Sequence, residues 1–509
     1  MFRKFVIGVL LFLLPCPVFG RSLHLFFRPT LVQFDPLKSF DLQNTWLNTQ
    51  IYEPLFEIDK NNEISPVIVK SWKVAANGLR YDFELNDKNF SDGSPLSADD
   101  VKFTLQRAIQ RSKEAALTFG TIRGVDDYLK EKSSTVSGLV VRGDRSLIIE
   151  MNKPEPMLLK NLALPAYYIL PSRYVAAIGD GSFFKHPVGS GPYVFSAYNK
   201  GGGDFGEVLV FDKNEYYLPS GYFDSLIFYV MRRPLKINEL GRFDLIFSAA
   251  SNEERPLKGF EAKWFSQPSV ELIIFNQGHT QWKSIKERQR FAACFDREAF
   301  YKVLFEGRDK YWSRLGRVIP SGMALTPTNF IDNKECEKLD MPVKIHFATH
   351  EYLPDRKLLR AVKMALGMDD VDAEKISLVN LPDGIKNGKV EIFMITFVAD
   401  LPEPFELLKY FSDISPVQFT GKENSEFTMD LIKARNENDV VKRADMYSAL
   451  DEILLRDYIV IPIAMSYYER VLVKEGLYLG DFGSRGLWYY PLSRIRSLYE
   501  SKTSSVIER

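Results

Sequence analysis

The run from Asn77 to Ile109 reads NGLRYDFELNDKNFSDGSPLSADDVKFTLQRAI. Tyr81, Phe83 and Leu85 alternate with polar residues, the period of a half-buried strand. Asn77-Gly78 before it and Asp92-Gly93 after it are turn pairs. Ser97 stands where a helix N-cap belongs, and Asp100 three residues on completes a capping-box pattern. Val101, Leu105 and Ile109 then recur at four-residue spacing and give the helix one apolar stripe. A strand, a turn and a capped amphipathic helix in succession predict an α/β unit.

Working outward, the same alternation of elements continues. LIFYVM from Leu226, ELIIFN from Glu271, VKIHFAT from Val343 and EIFMITFV from Glu391 are apolar runs, as expected of strands covered on both faces. Ser284 with Glu287 opens one helix. Asp296 and Glu298 open another that is predicted to end near Gly307. Met446, Leu450, Ile453 and Leu454 mark a late helix. The fold class is α/β with mixed sheets over more than one domain, in keeping with 509 residues at ~150 per domain.

Apolar residues make up 45% and charged residues 26%, an ordinary globular balance. Lys+Arg and Asp+Glu are both 66, so no basic field exists to attract nucleic acid, which is excluded as a partner. Arg3 and Lys4 precede an apolar core from Phe5 to Leu14, with small Val18 and Gly20 after it. Residues 1–20 therefore read as a signal peptide, with a mature start near Arg21. That core is too short to span ~30 Å of hydrocarbon. Leu13-Leu14-Pro15-Cys16 offers the alternative of a lipoprotein site, which Pro15 fits poorly. Past this leader only Cys294 and Cys336 remain, and their pairing is left open. The last residues, 498–509, are polar and expected to fray.

Catalytic constellations are missing. HExxH, CxxC, GxxxxGK[ST] and GxSxG do not occur. Gly201 to Gly206 (GGGDFG) has dinucleotide-loop spacing but lies between two expected strands, so a hairpin loop is the reading. Asp481-Phe482-Gly483 lacks the partner motifs of a kinase. His346 and His350 sit four apart on an expected strand, roughly 13 Å, too far to share a metal. No enzyme, cofactor or metal is expected.

Ordered motifs point to a family. DPL at Asp35, IYEPLF at Ile51 to Phe56, PVIVKSW at Pro66 to Trp72 and the opening run come first. PVGSGPYVF at Pro187, NEYYLPSGYFDSLIFYV at Asn214, GRFDLI at Gly241 and IFNQ at Ile274 follow. KERQRFAACFDREAFYKVLFEG, VADLPEPFELL, ENSEFTMDLIKAR and ILLRDYIVIPI complete the series. Their order resembles the family 5 extracellular solute-binding proteins, the group of oligopeptide- and dipeptide-binding proteins of ABC importers. The resemblance implies a periplasmic-binding-protein-like (class II) fold with two lobes closing about a hinge. Lobe I would take 21–52, 182–272 and 476–497, an extra subdomain 53–181, and lobe II 273–475. The chain would cross between lobes near Phe265 to Ile273 and Val473 to Tyr478.

The resemblance also implies a site. VADLPEP places Asp400 where peptide-binding members hold the ligand's α-amino group, a charge-assisted bond suited to a closed cleft. The bland reading of Asp400 is a turn cap before Pro402. Phe40, Asp41 and Leu42 on one side, and Thr396, Phe397 and Val398 on the other, would pair main chain with the ligand. Met394 stands where some oligopeptide binders carry an Arg for the ligand carboxylate. The expected function is the substrate-binding component of an ABC importer: a periplasmic monomer that takes a peptide or peptide-like solute to a membrane permease. A sensor without transport, and a non-peptide ligand (nickel chelate, haem, glutathione, sugar), are the alternatives.

Overall fold

The structure is a computed structural model that describes residues 20–27, 32–39, 41–59, 61, 63–200, 206–219, 221–230, 237–247, 257–306, 312–320, 323, 336, 339, 342–348, 355–401, 403–415, 417–479 and 490–497. Residues 1–19 of the leader, the tail, Phe40, His350, most of the GGGDFG run and the 481–483 tripeptide lie outside them.

The strands used below are β1 (Ser22–Phe27), β2 (Val69–Val74), β3 (Arg80–Leu85), β4 (Leu139–Val141), β5 (Ser146–Glu150), β6 (Tyr193–Lys200), β7 (Glu207–Lys213), β8 (Ser225–Val230), β9 (Leu245–Phe247), β10 (Phe260–Phe275), β11 (Trp312–Arg314), β12 (Val343–Phe347), β13 (Val371–Lys375), β14 (Ile392–Val398) and β15 (Val460–Lys474). The helices are α1 (Leu42–Ile51), α2 (Ala98–Arg111), α3 (Lys113–Thr118), α4 (Ile285–Cys294), α5 (Arg297–Leu304), α6 (Asp355–Leu366), α7 (Phe405–Leu408), α8 (Ser425–Arg435) and α9 (Val440–Arg456).

An 11-stranded sheet has the order β13-β12-β14-β10-β15-β9-β1-β8-β7-β6, with β11 paired to β15, and a 4-stranded sheet has the order β2-β3-β5-β4. Parallel and antiparallel pairs mix in the large sheet: β1 runs parallel to β8, and β14 runs antiparallel to β10. The mixed α/β class read from the sequence is therefore the observed one.

The opening run folds as read. Asp82 and Glu84 point away from the buried face of Tyr81, Phe83 and Leu85. The Asp100 carboxylate accepts from the Ser97 N–H at 2.8 Å and so caps α2, and it also accepts from the Ser172 N–H at 2.8 Å. α2, β3 and β5 share one core over residues 55–169.

A second core joins Leu23, Leu25, Leu226, Phe228, Leu209 and Phe211 on β1, β8 and β7. Two further cores lie on opposite faces of the β14–β10–β15 half of the sheet. Phe393, Ile395, Val270 and Leu272 face α8 and α9; Ile392, Met394, Ile273 and Phe275 face α4, α5 and α6. The apolar runs at 271 and 391 are thus covered on both faces, as expected. The run at 226 is not: Leu226, Phe228 and Val230 are buried, while Ile227 and Tyr229 are half-buried.

β10 and β15 link these cores. Val471 and Val473 pack in the second core, while Val460, Ile461 and Met465 pack in the last two. The two strands pair antiparallel from Phe260↔Lys474 to Ile274↔Val460, with register shifts between Ser266 and Ser269 and between Glu271 and Leu272.

Two motifs acquire physical reasons. Gly189 and Gly191 of PVGSGPY lie against the end of α1, where the Gly191 N–H donates to Ile51 O at 2.8 Å. A Cβ at Gly189 would stand 2.1 Å from that same oxygen. Asp35 of DPL accepts from the Leu37 N–H at 3.1 Å and receives Arg107 of α2 through two bonds of 3.2 and 2.9 Å. Cys294 and Cys336 form a disulfide, which resolves the pairing left open above and suits an oxidising compartment. The helix begun at Asp296 ends at Leu304, short of Gly307. The strands flanking the GGGDFG run pair antiparallel as a hairpin.

Candidate ligand-binding site

β14 is apolar enough to run through the middle of its half of the sheet, yet its two edges end differently. On one edge, Thr396, Phe397 and Val398 pair with Glu271, Val270 and Ser269 of β10. On the other, β12 pairs only as far as Phe347↔Met394, with one more bond from the Ala348 N–H to Met394 O at 2.9 Å. Among the described residues, no strand covers that edge at Thr396, Phe397 and Val398. An uncovered edge inside a sheet offers backbone donors and acceptors to an extended guest.

The side chains here do other work. Phe397 is buried and stacks on Tyr410, with ring centroids 4.2 Å apart and planes 12° apart. The Thr396 hydroxyl donates to Glu271 Oε1 at 2.7 Å. Phe397 and Thr396 are thus engaged within the protein, while Val398 is half-buried.

Asp400 is half-buried two residues past the end of β14. Beyond it, α7 and the 3-10 turn Lys409–Phe411 hold a charge cluster. Lys409 Nζ lies 2.7 Å from Glu114 Oε1 of α3 and 2.9 Å from Glu406 Oε2. Lys409 and Glu406 are only 6% and 5% exposed. Burial pushes the Glu406 carboxyl up to about 7, opposed by Lys409 and assisted by Asp400 and Glu114. Burial works against the charge on Lys409 as well, but Glu114 and Glu406 outweigh it and hold the ammonium protonated well above its usual range. Glu403 is also raised, by burial first, with Arg443, Lys160 and Arg435 opposing. The site end of β14 thus runs into a cluster of carboxylates around Lys409, with Glu406 and Lys409 buried and Asp400 and Glu114 half-buried.

The residues expected on the opposite side fare differently. Asp41 has an extended backbone, but its carboxylate caps α1, accepting from the Asn44 N–H at 2.7 Å and Asn44 Nδ2 at 2.8 Å. Leu42 is the first helical residue. The extended edge expected at Phe40, Asp41 and Leu42 is corrected at Leu42: Asp41 starts a helix there, so its neighbour cannot belong to a strand. Phe40 lies outside the described residues. Met394, which stands where some oligopeptide binders carry an Arg, is fully buried in the core with Ile392 and Ile273.

Sequence reading missed Glu114, Glu406 and Lys409. The i, i+3 spacing of Glu406 and Lys409 just after VADLPEP was the available signal; Glu114 has none, since its partner is 295 residues away. A separate cavity of about 200 Å³ sits at the far end of α1, lined by Tyr52, Glu53, Lys88, Tyr217 and Arg494. Its charges pair internally, Glu53 with Lys88 at 2.7 Å and Glu57 with Arg494. Among the described residues, no group of three or more His, Cys, Asp or Glu could hold a metal ion. No helix among them is long and apolar enough to cross a membrane.

A sequence profile of bacterial extracellular solute-binding proteins, family 5 Middle, matches residues 63–335, more than half of the chain. The chain belongs to this family. Among curated relatives, the dipeptide-binding protein DppE of Bacillus subtilis is 21% identical over 464 residues, which cover 84% of each chain. The glutathione-binding protein GsiB of Pectobacterium atrosepticum is 26% identical over 297 residues, 55% of this chain and about half (52%) of its own length. Among solved structures, the murein tripeptide binding protein MppA of Escherichia coli superposes with a TM-score of 0.79 at 19% identity, covering 94% of this chain and 99% of that one. This family 5 protein therefore shares the periplasmic-binding-protein fold over nearly its whole length.

Proposed function

We propose that this family 5 protein is the substrate-binding component of an ABC importer, which closes on a peptide or peptide-like solute and passes it to the permease. The observation that carries this reading is the β14 edge at Thr396, Phe397 and Val398, uncovered among the described residues, which leads to the carboxylate of Asp400. An edge of that kind takes a short extended backbone, and a carboxylate at its end takes a free α-ammonium. Names of relatives support small peptides: a dipeptide, glutathione and a murein tripeptide. Asp41, with Phe40, would approach the ligand from the facing side.

The lobes divide as the family implies, 21–52 with 182–272 and 476–497 against 273–475, and 53–181 forms the extra subdomain. The change of core along β15 between Met465 and Val471 supports placing the second crossing there, ahead of Val473. The protein works as a binder and not as an enzyme, in the periplasm after export, and as a monomer.

The test is native mass spectrometry of the mature protein before and after unfolding, together with Asp400→Ala. Co-purified short peptides are expected. Asp400→Ala should remove binding of trialanine while the fold stays intact. Unchanged trialanine affinity in that variant refutes the amine anchor; a haem, a sugar or a metal chelate in the cleft refutes the peptide reading.

A further inference from the structure

Lys409 is placed unusually for a lysine. It sits on a 3-10 turn just past Asp400, yet its ammonium reaches Glu114 on α3, which belongs to the core formed by residues 55–169. Apolar contacts flank the bridge in both directions. Leu401 is buried in that same 55–169 core, and Leu117 of α3 packs against the core of Phe397 and Phe405. Tyr167 adds its ring from the same side as Glu114, and its hydroxyl feels Glu114, Lys409 and Arg435. The charges acting on Lys409 itself are Glu114, Glu406, Tyr410 and Asp400. Arg435 lies over the Phe405 ring at 4.6 Å.

We propose that the Glu114–Lys409–Glu406 bridge is a clasp between the two halves of the molecule, and that breaking it speeds the release of a ligand held between them. Each end of the clasp comes from a different core, so opening the halves must break the Glu114–Lys409 contact and return Glu114 to water. Closing them brings half-buried Glu114 and buried Glu406 together on the Lys409 ammonium. A ligand held between the halves at Asp400 leaves only when the clasp opens, so closure and ligand capture favour one another. The half of this inference that concerns the ligand rests on the reading of Asp400 above. The clasp itself does not.

The experiment uses the whole mature chain and Glu114→Gln, with trialanine as the probe. Small-angle scattering without ligand is expected to give a larger radius of gyration for Glu114→Gln than for wild type. Trialanine should leave the variant about tenfold faster, with its association rate little changed. Glu114→Asp, which keeps the charge but shortens the reach, should fall between the two and guards against a folding defect. Equal radii and equal dissociation rates for wild type and Glu114→Gln overturn the clasp. Loss of the rate effect alone, with the radius difference kept, overturns the link to the ligand. Failure of the amine anchor would show in Asp400→Ala, and the unliganded radius would still decide for or against the clasp.

Discussion

Replacing Arg107 by Met should destabilise the protein by about 3 kcal/mol. Arg107 is 6% exposed and Asp35 1%, so the pair is removed from water. The guanidinium donates to both Asp35 oxygens, at 3.2 and 2.9 Å, and its Nε and Nη2 donate to Asp180 at 2.5 and 3.3 Å. Methionine keeps most of the packing of the arginine stem but strands the Asp35 carboxylate. Breaking a buried pair from one side costs ~3–5 kcal/mol. Lys38, 3.8 Å from Asp35 Oδ2 and well exposed, offers partial compensation, which favours the lower end. Urea unfolding of the mature protein at neutral pH measures the loss, and Asp35→Asn/Arg107→Met should recover part of it, since no carboxylate is then stranded. The acid limb gives a second reading. Burial acts against the Asp180 charge, but the hydrogen bond and charge of Arg107, with Arg111 and Lys38, hold its carboxyl below the usual range. That contribution is present above the ordinary carboxylate pKa and fades as pH falls through the depressed one. The variant should lose part of this acid sensitivity. A cost under about 1 kcal/mol, or no coupling between the two substitutions, refutes the reasoning.

Gly189→Ala puts a methyl 2.1 Å from Ile51 O and should cost about 3–5 kcal/mol, because the turn must retreat and lose the Gly191–Ile51 bond; a Tm within a degree or two of wild type would contradict it. Glu406 is raised toward about 7 by burial. A raised carboxyl stabilises the fold below its unfolded pKa and loses that effect as pH rises through the folded value. Stability should therefore fall between about pH 4.5 and 7 by an amount on the order of 1–3 kcal/mol, and the fall should vanish in Glu406→Gln. Thermal melts across that range decide between the two profiles. Asp400→Ala should abolish trialanine binding in calorimetry and, by removing one of the charges that raise Glu406, move the fall in those melts to lower pH.

What the sequence made legible was local or patterned. The capped helix at Ser97 and Asp100 was readable because both partners lie within one turn. β14 was readable because a strand covered on both faces must be apolar throughout. The same period places Met394. A period of two puts Met394 on the face of Ile392, deep in a core, and not on a binding surface. Asp41 followed by Asn44 was a helix start, hidden by the absence of a strong apolar stripe in α1, whose residues are buried all round. Asp400 could be found only through resemblance, and Glu114 with Lys409 not at all. Their pairing is made by the fold from elements far apart in the chain.

β10 and β15 set the mechanical character of the molecule. Because they stay hydrogen-bonded to each other from one core into the next, the halves are joined by a ribbon and not by loose tethers. A ribbon yields to torsion more readily than to stretching or shear. Opening should then resemble the winding of a shaft about its long axis, with small displacements beside the ribbon and large ones at the rim. The interruption in pairing between Ser266 and Ser269 is where such a shaft is thinnest, and twist would concentrate there.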